Sequence, residues 1–250
     1  MKKELTNKKM WESKWGNYEL PIILDPGIRS HHSFIEIFEK YLSNISTHIK
    51  NPKLLEIGCS PGRFLIHFHE KYKFQVHGIE YAENGYELTK ENLKIFNIDT
   101  TKIYQSDIFK IDTLTKYDIL FSAGFVEHFD DNLDELLSIH ADLVNQGGYL
   151  FLSFPNFRYL NFILSYFFRY DMIAMHNLKI MNKKFFMSFA EKFGFEILFL
   201  DYFGGIHPGG LKLFKEKKAH KTNGTKKEFF LNKINSKYFS HYLGSVMRKK

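Results

Sequence analysis

The chain lacks the features that mark a secreted, membrane-spanning or disulfide-bonded protein. Its single cysteine, Cys59, excludes an intramolecular disulfide and leaves too few thiolates for a structural zinc site. No stretch reaches the roughly 20 uninterrupted apolar residues that a membrane-spanning helix needs. The basic residues 1–9 lead into Trp11 and Glu12 rather than into an apolar run, so no secretory signal is expected. These absences predict a protein of the reducing cytoplasm without a membrane span.

The basic charge of the chain is concentrated in one segment. The formal net charge is +7, but residues 212–250 hold twelve Lys or Arg and two Glu, which leaves residues 1–211 at −3. A surface that binds nucleic acid needs basic residues along its active face, because phosphate neutralisation supplies most of the affinity. We therefore expect a solvated basic tail and no nucleic-acid partner. A role of this tail toward nucleic acid or anionic lipid is the alternative.

Short apolar runs alternate with longer amphipathic stretches, which is typical of βαβ units and a parallel sheet. The predicted fold is therefore α/β, a doubly wound Rossmann-like sheet that is mostly parallel, with an antiparallel last strand at residues 239–247. A helix is the alternative for that last segment. The other predicted strands are residues 53–58, 74–80, 101–104, 117–122, 149–154 and 196–202, and helices are predicted from about residue 62, over 82–96 and over 132–143.

The 250 residues are long enough for one large core, and a single domain is predicted. We expect an N-terminal helical cover at residues 1–50, a core at 51–205 that carries the cofactor site, and a basic extension at 206–250. An aromatic-rich insert at 157–187 is expected to pack over the core as a helical lid. The smaller predictions are a tight turn at 146–148, a helix stop at Gly194 and a loop at 215–225.

The segment between the first strand and its helix has the composition of a ligand-binding turn. It reads Glu56-Ile57-Gly58-Cys59-Ser60-Pro61-Gly62, where small residues let the backbone turn sharply and let a ligand approach the helix N-terminus. Glu80 ends the second strand, where a carboxylate can accept hydrogen bonds from both hydroxyls of a ribose. Asp107 follows the third strand at the same sheet edge. Taken singly, these features are equally typical of a tight turn, a solvated strand end and a helix cap.

In this order and spacing, the residues resemble the motifs of the class I S-adenosylmethionine-dependent methyltransferases, over about residues 50–205. Ser60 stands where the family's Glu/Asp-x-Gly-x-Gly-x-Gly motif usually has its middle glycine, a departure that many members share. A nicotinamide-dependent dehydrogenase is the main rival, but it needs Gly-x-Gly-x-x-Gly, a spacing that residues 58–62 lack. The resemblance implies S-adenosyl-L-methionine as the cofactor.

The resemblance also implies which residues hold that cofactor. Glu56 would orient its methionine end indirectly, Glu80 would hold the ribose, and Asp107 would frame the adenine together with Ile108. Three residues of the turn, Gly58, Cys59 and Gly62, would line the cofactor. The full set of implied cofactor-binding residues is Glu56, Gly58, Cys59, Ser60, Gly62, Glu80, Tyr81, Asp107, Ile108 and Ala123.

Residues 122–131, after the fourth strand, would face the transferred methyl group in this family. His128, with Glu127 beside it, is the candidate general base or substrate ligand. The alternative is that both residues hold the loop or cap the next helix. Some relatives bind a divalent metal through Glu-x-x-Glu-His, but Gly124 replaces the first of those acids, so we expect no metal. The Asn/Asp-Pro-Pro-aromatic motif of enzymes that methylate base amines is absent from residues 122–125.

The expected function is transfer of a methyl group to an O or N atom of a small molecule. Basic and imidazole side chains in the covers suit an anionic or sugar-like metabolite. The alternatives are an RNA or protein methyltransferase guided by the basic tail and a non-catalytic cofactor-binding module. The sequence leaves the oligomeric state open. The candidate substrate-binding residues are Arg29, His31, His32 and His176, with Arg158, Arg169 and His207 as further candidates.

Overall fold

Seven strands form one sheet in a computed structural model that describes residues 5–16, 18–111, 114–206 and 235–250. The strands are β1 (Lys53–Ile57), β2 (Gln75–Glu80), β3 (Ile103–Gln105), β4 (Tyr117–Ala123), β5 (Val144–Pro155), β6 (Phe195–Ile206) and β7 (Ser240–Lys249). Their order across the sheet is β3-β2-β1-β4-β5-β7-β6. Strands β1 to β5 pair in parallel, and β7 lies antiparallel between β5 and β6. The predicted doubly wound α/β sheet with an antiparallel last strand is confirmed.

Helices cover both faces of this sheet. They are α1 (Lys8–Lys14), α2 (Arg29–Tyr41), α3 (Ile45–His48), α4 (Arg63–Tyr72), α5 (Glu83–Ile95), α6 (Leu133–Asp142), α7 (Tyr159–Phe168), α8 (Tyr170–Ala174) and α9 (Lys183–Phe193). On one face, α2 and α5 contribute Phe38 and Leu93 to a buried cluster, and on the other face α6 contributes Leu136. Because successive side chains of a strand point to opposite faces, Ile119 and Leu120 of β4 belong to different clusters.

Phenylalanine packing dominates the face that α2 and α4 cover. The ring centroids of Phe38 and Phe68 lie 4.7 Å apart, and Phe121 stacks on Phe151 at 4.9 Å. Such ring pairs contribute roughly 0.5–1.5 kcal/mol beyond the area that they bury. All four side chains are fully buried. Because they come from α2, α4, β4 and β5, this cluster fixes the two helices against the middle of the sheet.

Strand β5 differs from its prediction at its start. The predicted tight turn at 146–148 lies inside β5 as a bulge, since Tyr117 of β4 pairs with Val144 whereas Ile119 pairs with Tyr149. Gly147 has a φ of 75° within this bulge, a conformation that favours glycine. The predicted stop at Gly194 is confirmed, because this residue has a φ of 71° and ends α9.

The aromatic insert is helical, but its first helix does not pack as the sequence predicts. Helix α7 buries Ser165 alone, while Ile163 is exposed and Phe167 is 73% exposed. Asn161 fixes the start of α7 by donating a hydrogen bond of 2.9 Å to the carbonyl of Asn156. The expectation of a packed lid is therefore wrong for α7, because polar contacts at its first turn hold it while its apolar side chains stay on the surface.

Other parts of the prediction fall outside what the structure describes. The predicted loop at 215–225 and the candidate His207 lie outside the described residues. Within the described ranges, no helix has both the length and the apolarity needed to cross a membrane.

Gly244 of β7 provides a test of the strand order. A Cβ atom there would lie 2.7 Å from Cβ of Ser153 on β5 and 3.0 Å from a ring atom of Phe203 on β6. We expect Gly244→Ala to lower the free energy of unfolding by about 1–3 kcal/mol, because side chains on both neighbouring strands must shift. Urea denaturation measures this change. Gly16→Ala is the control, since a Cβ atom there meets nothing nearer than 3.6 Å; equal stability of both variants would contradict the placement of β7.

Candidate active site

A large cavity opens at the carboxyl edge of the sheet, beside the point where the strand order reverses between β1 and β4. Its volume is about 1150 Å³, somewhat above the roughly 300–1,000 Å³ of a typical single-ligand site. The loops after β1, β2, β3 and β4 border the cavity, and residues of α1, α8 and β7 complete its walls. Ligands of open α/β sheets bind in this kind of crevice.

The glycine turn after β1 borders the cavity through some of its residues only. Gly58 and Ser60 line the cavity, and Gly58 has a φ of 72° with room for no side chain, since a Cβ atom would lie 2.9 Å from the ring of Phe125. Cys59 and Gly62 do not line it, which corrects the sequence prediction. The Cys59 side chain is buried against β2, and Gly62 faces α5, where a Cβ atom would lie 3.1 Å from Thr89.

Glu80 joins the glycine turn to the start of α5. One carboxylate oxygen accepts a hydrogen bond from the Ala82 amide at 2.9 Å, and the other accepts from the Ser60 amide at 3.3 Å. Burial raises the pKa of Glu80, although the hydrogen bonds from these amides oppose the shift. The carboxylate lines the cavity, so two of its lone pairs hold the protein backbone and the others remain for a ligand.

Glu56 lies behind this wall rather than in it. It is fully buried and does not border the cavity. Burial raises the pKa of Glu56 well above its ordinary value, against the opposing charge of Arg63. Arg63 itself borders the cavity, so an influence of Glu56 on a ligand would be indirect.

Asp107 both caps a turn and borders the cavity. Its carboxylate accepts a hydrogen bond of 3.1 Å from the Phe109 amide, at the start of the 3-10 turn Ile108–Lys110. Asp107 is therefore a helix cap, as the alternative interpretation of the sequence holds, and it borders the cavity as well. Ile108, Tyr81 and Ala123 also line the cavity.

Helix α1 covers one side of the cavity. The Trp11 ring meets the His128 ring at a centroid distance of 4.9 Å, edge to face. Lys14 also lines the cavity, and burial lowers its pKa while the charge of Glu127 opposes the shift. Glu12 fixes α1 to α5, because its two carboxylate oxygens accept hydrogen bonds of 2.7 and 2.8 Å from the amides of Glu83 and Asn84. These amides belong to the first turn of α5, where backbone N–H groups have no hydrogen-bond acceptor within the helix.

Glu127 and His128 lie in a buried turn directly after β4. Burial raises the pKa of Glu127 to about 8, opposed by its own amide and by the charge of Lys14. Burial lowers the pKa of His128 to about 3; His176 lowers it further, while the carbonyls of Met175 and Gly124 oppose the shift. Both line the cavity. A histidine with this pKa is neutral at physiological pH, so it can offer a nitrogen lone pair but is a weak proton acceptor.

Of the four substrate-binding residues predicted first, the structure brings one to the cavity. His176 lines it, and its ring lies beside that of His128 at a centroid distance of 4.6 Å and an interplanar angle of 47°. Arg29 and His32 instead lie near Glu36, at 3.6 and 3.4 Å. His31 accepts a hydrogen bond from the Asp25 amide at 3.0 Å. Arg29, His31 and His32 therefore do not line the cavity. Of the three, His31 comes nearest to it, because its Nε2 lies 3.5 Å from Nη1 of Arg63, which does line the cavity.

The remaining candidates also divide into residues that line the cavity and residues that do not, and the cavity has further residues that the sequence did not predict. Arg169 lines the cavity and Arg158 does not. Arg63 follows the last glycine of the turn, and this position at a helix start could have suggested it from the sequence. No sequence signal marks the others, because they come from α1 and β7, far from the motifs. The cavity residues that sequence reasoning missed include Trp11, Lys14, Arg63, His241 and Tyr242.

Known proteins share both sequence and fold with this chain. The methyltransferase domain family matches residues 30–199. Pavine N-methyltransferase from Thalictrum flavum subsp. glaucum is 27% identical over 100 residues, which cover 40% of this chain and only 28% of that protein's length. An S-adenosylmethionine-dependent methyltransferase from Archaeoglobus fulgidus superposes with a TM-score of 0.59 at 17% identity, covering 96% of this chain and 99% of the other. A protein described as a sarcosine dimethylglycine methyltransferase from Galdieria sulphuraria gives 0.65 at 15% identity, covering 97% and 98%.

The strand order, the glycine turn and the acids at the strand ends define a class I S-adenosylmethionine-dependent methyltransferase. The match over residues 30–199 agrees with them, and the chain belongs to the methyltransferase domain family. It is an enzyme whose cofactor is S-adenosyl-L-methionine.

The contact of Glu12 with α5 predicts how α1 is held over the site. We expect Glu12→Ala to destabilise the start of α5 by about 0.5–2 kcal/mol, the usual effect of losing a helix cap. Hydrogen exchange should then become faster at the amides of Glu83 and Asn84. The control is Glu91→Ala, an exposed change on the same helix. Unchanged exchange at both amides would show that α1 is fixed in another way.

Proposed function

We propose that this enzyme transfers a methyl group to an O or N atom of a small anionic or sugar-like metabolite. The observation that carries the proposal is that α1 and α8 border the cavity beyond the ends of the strands, which suits an acceptor of limited size. The cations among the residues that line the cavity, which include Lys14, Arg63 and Arg169, suit an acceptor with negative charge or hydroxyl groups. The sequence match to a pavine N-methyltransferase supports an acceptor of small-molecule size.

The cofactor would lie across the ends of β1, β2 and β3. We assign its ribose to Glu80, whose remaining lone pairs can accept from two vicinal hydroxyls. Asp107 and Ile108 would frame the adenine, and Gly58 and Ser60 would let the cofactor approach the backbone. Each of these residues borders the cavity. The bound sulfonium supplies the methyl group, which leaves sulfur as it forms a bond to the acceptor atom.

The residues of the protein would act mainly by holding the acceptor in line with that methyl group. Such positioning can lower a barrier by several kcal/mol. We place the acceptor beside Glu127 and His128, between the glycine turn and α8. A neutral amine acceptor needs no general base during the transfer, whereas a hydroxyl acceptor must lose its proton. His128 and Glu127 are the proposed base or ligand for that group. The cytoplasmic location inferred from the single cysteine stays a prediction.

The ribose role of Glu80 leads to a binding test. We expect Glu80→Ala to weaken S-adenosylhomocysteine binding at least tenfold, because loss of hydrogen bonds to a charged group costs about 1.5–3 kcal/mol. Isothermal titration calorimetry measures the affinity. Glu70→Ala, an exposed change on α4, is the control. Equal affinity of Glu80→Ala and the wild type would remove Glu80 from the cofactor site.

The small-molecule proposal also predicts that the basic tail is dispensable for turnover. Truncation after residue 212 would remove β7, so charge replacement is the better test. We expect Lys217, Lys218, Lys226 and Lys227, all changed to Gln, to leave turnover of phosphorylated or sugar-like acceptors within about twofold, because on this proposal the tail takes no part in binding the acceptor and salt screens its charge. The assay is release of S-adenosylhomocysteine. Activity on RNA or protein that this variant loses would instead favour a macromolecular substrate.

A further inference from the structure

Three side chains with metal-ligand chemistry converge at one end of the cavity. Glu127, His128 and His176 each offer one ligand atom, and these atoms all lie within 4.8 Å of one another. Glu127 and His128 follow β4, whereas His176 comes from the insert after α8. All three side chains are buried. The fold therefore brings together two imidazoles and a carboxylate that are distant in the sequence.

The two histidines are oriented through the same ring atom. Nδ1 of His128 lies 2.9 Å from the carbonyl oxygen of Met175, and Nδ1 of His176 faces the carbonyl oxygen of Met172. A carbonyl oxygen only accepts hydrogen bonds, so Nδ1 carries the proton in this arrangement and Nε2 keeps a lone pair. Metal-bound histidines are oriented in this manner, with the second ring nitrogen donating to a backbone carbonyl.

The carboxylate of Glu127 is the group that most needs a partner. It has no exposed surface, and no other described residue donates a hydrogen bond to either of its oxygens. Burial of a carboxylate without a partner costs several kcal/mol. A bound cation between Glu127 and the two imidazoles would provide that partner.

We propose that Glu127, His128 and His176 form a site for a divalent transition-metal ion, with Zn²⁺ as the favoured ion. Two imidazoles and one carboxylate are the ligands of many catalytic zinc sites, which keep one position open, and imidazole favours Zn²⁺ over Mg²⁺. Metal–ligand bonds of about 2.0–2.2 Å place tetrahedral ligand atoms roughly 3.4 Å apart. The ligand atoms, which now lie within 4.8 Å of one another, must therefore approach by up to about 1.4 Å. The expectation of no metal rested on Gly124, and the structure supplies His176 as a ligand from outside that motif.

The open position of the ion would face the cavity that holds the cofactor. An acceptor hydroxyl bound there would lose its proton more readily, because a metal ion lowers the pKa of a bound oxygen. This consequence rests on the proposed function, whereas metal binding itself does not. As a metal ligand, His128 would use the lone pair of a neutral imidazole, a role that suits its low pKa better than that of a general base.

Metal binding can be measured on the full-length protein without any substrate. After treatment with EDTA, we expect calorimetric titration with Zn²⁺ to show one ion per chain, and metal analysis after gel filtration to find the same ratio. Glu127→Gln and His176→Asn should each weaken Zn²⁺ binding by more than the roughly 10–100-fold that loss of an outer-shell partner costs. Mg²⁺ should bind far more weakly. His32→Asn, outside the cavity, is the matched control.

Two further measurements keep the outcomes distinct. S-adenosylhomocysteine affinity of each variant, measured in parallel, shows whether the variant is folded and whether the cofactor site stands apart from the metal site. The visible absorption spectrum of the wild type loaded with Co²⁺ needs no variant, and we expect it to differ from that of aqueous Co²⁺. The proposal is overturned by a Co²⁺ spectrum like that in buffer, or by Zn²⁺ affinities equal in the wild type and both triad variants. Failure of S-adenosylhomocysteine to bind would contradict the function instead.

Discussion

The reversal of strand order between β1 and β4 is the constraint on which the rest of the structure depends. From β1 the chain builds the sheet outward through β2 and β3, and it then returns to add β4 on the other side. The connections after β1 and β4 therefore leave the sheet in opposite directions and open a crevice between them. Gly58 directly follows β1 and Phe125 comes two residues after β4, and they meet in this gap, where a Cβ atom at Gly58 would lie 2.9 Å from the Phe125 ring. Every further wall of the cavity is added to this opening.

Much of the fold and half of the site could be predicted because they follow from local patterns. Buried strands show as short apolar runs, and parallel strands bring their carboxyl ends to one edge, so Gly58, Glu80 and Asp107 could be placed together without a structure. The direction in which a side chain of the turn points does not follow from the local sequence. Whether Cys59 faces the ligand or β2 depends on tertiary packing against Gly78, where a Cβ atom would lie 2.6 Å from the Cys59 sulfur. The sequence therefore located the turn but misjudged which of its residues border the cavity.

The covering segments are where sequence reasoning was least successful. Histidine and arginine have suitable chemistry for a ligand, but which face of α2 meets the sheet decides where these side chains point, and His31 accepts a hydrogen bond from the Asp25 amide. The same difficulty applies to the position of α1, which Glu12 helps to fix by capping a helix more than seventy residues away. Long-range pairing of this kind leaves no periodic trace in the sequence. His176 is the candidate that does reach the cavity, but its position beside His128 depends on the path of the insert.

The position of β7 determines the order in which the protein can be assembled. Strand β6 has β7 as its sheet neighbour, and β7 is the later of the two along the chain. During synthesis, β1 to β5 can pair as they emerge, while β6 must wait until a strand from a more distal part of the chain enters beside β5. Closing that connection is a long-range step of the kind that slows folding. Because Tyr242 of β7 borders the cavity, the pocket acquires its last wall only when the sheet itself is finished.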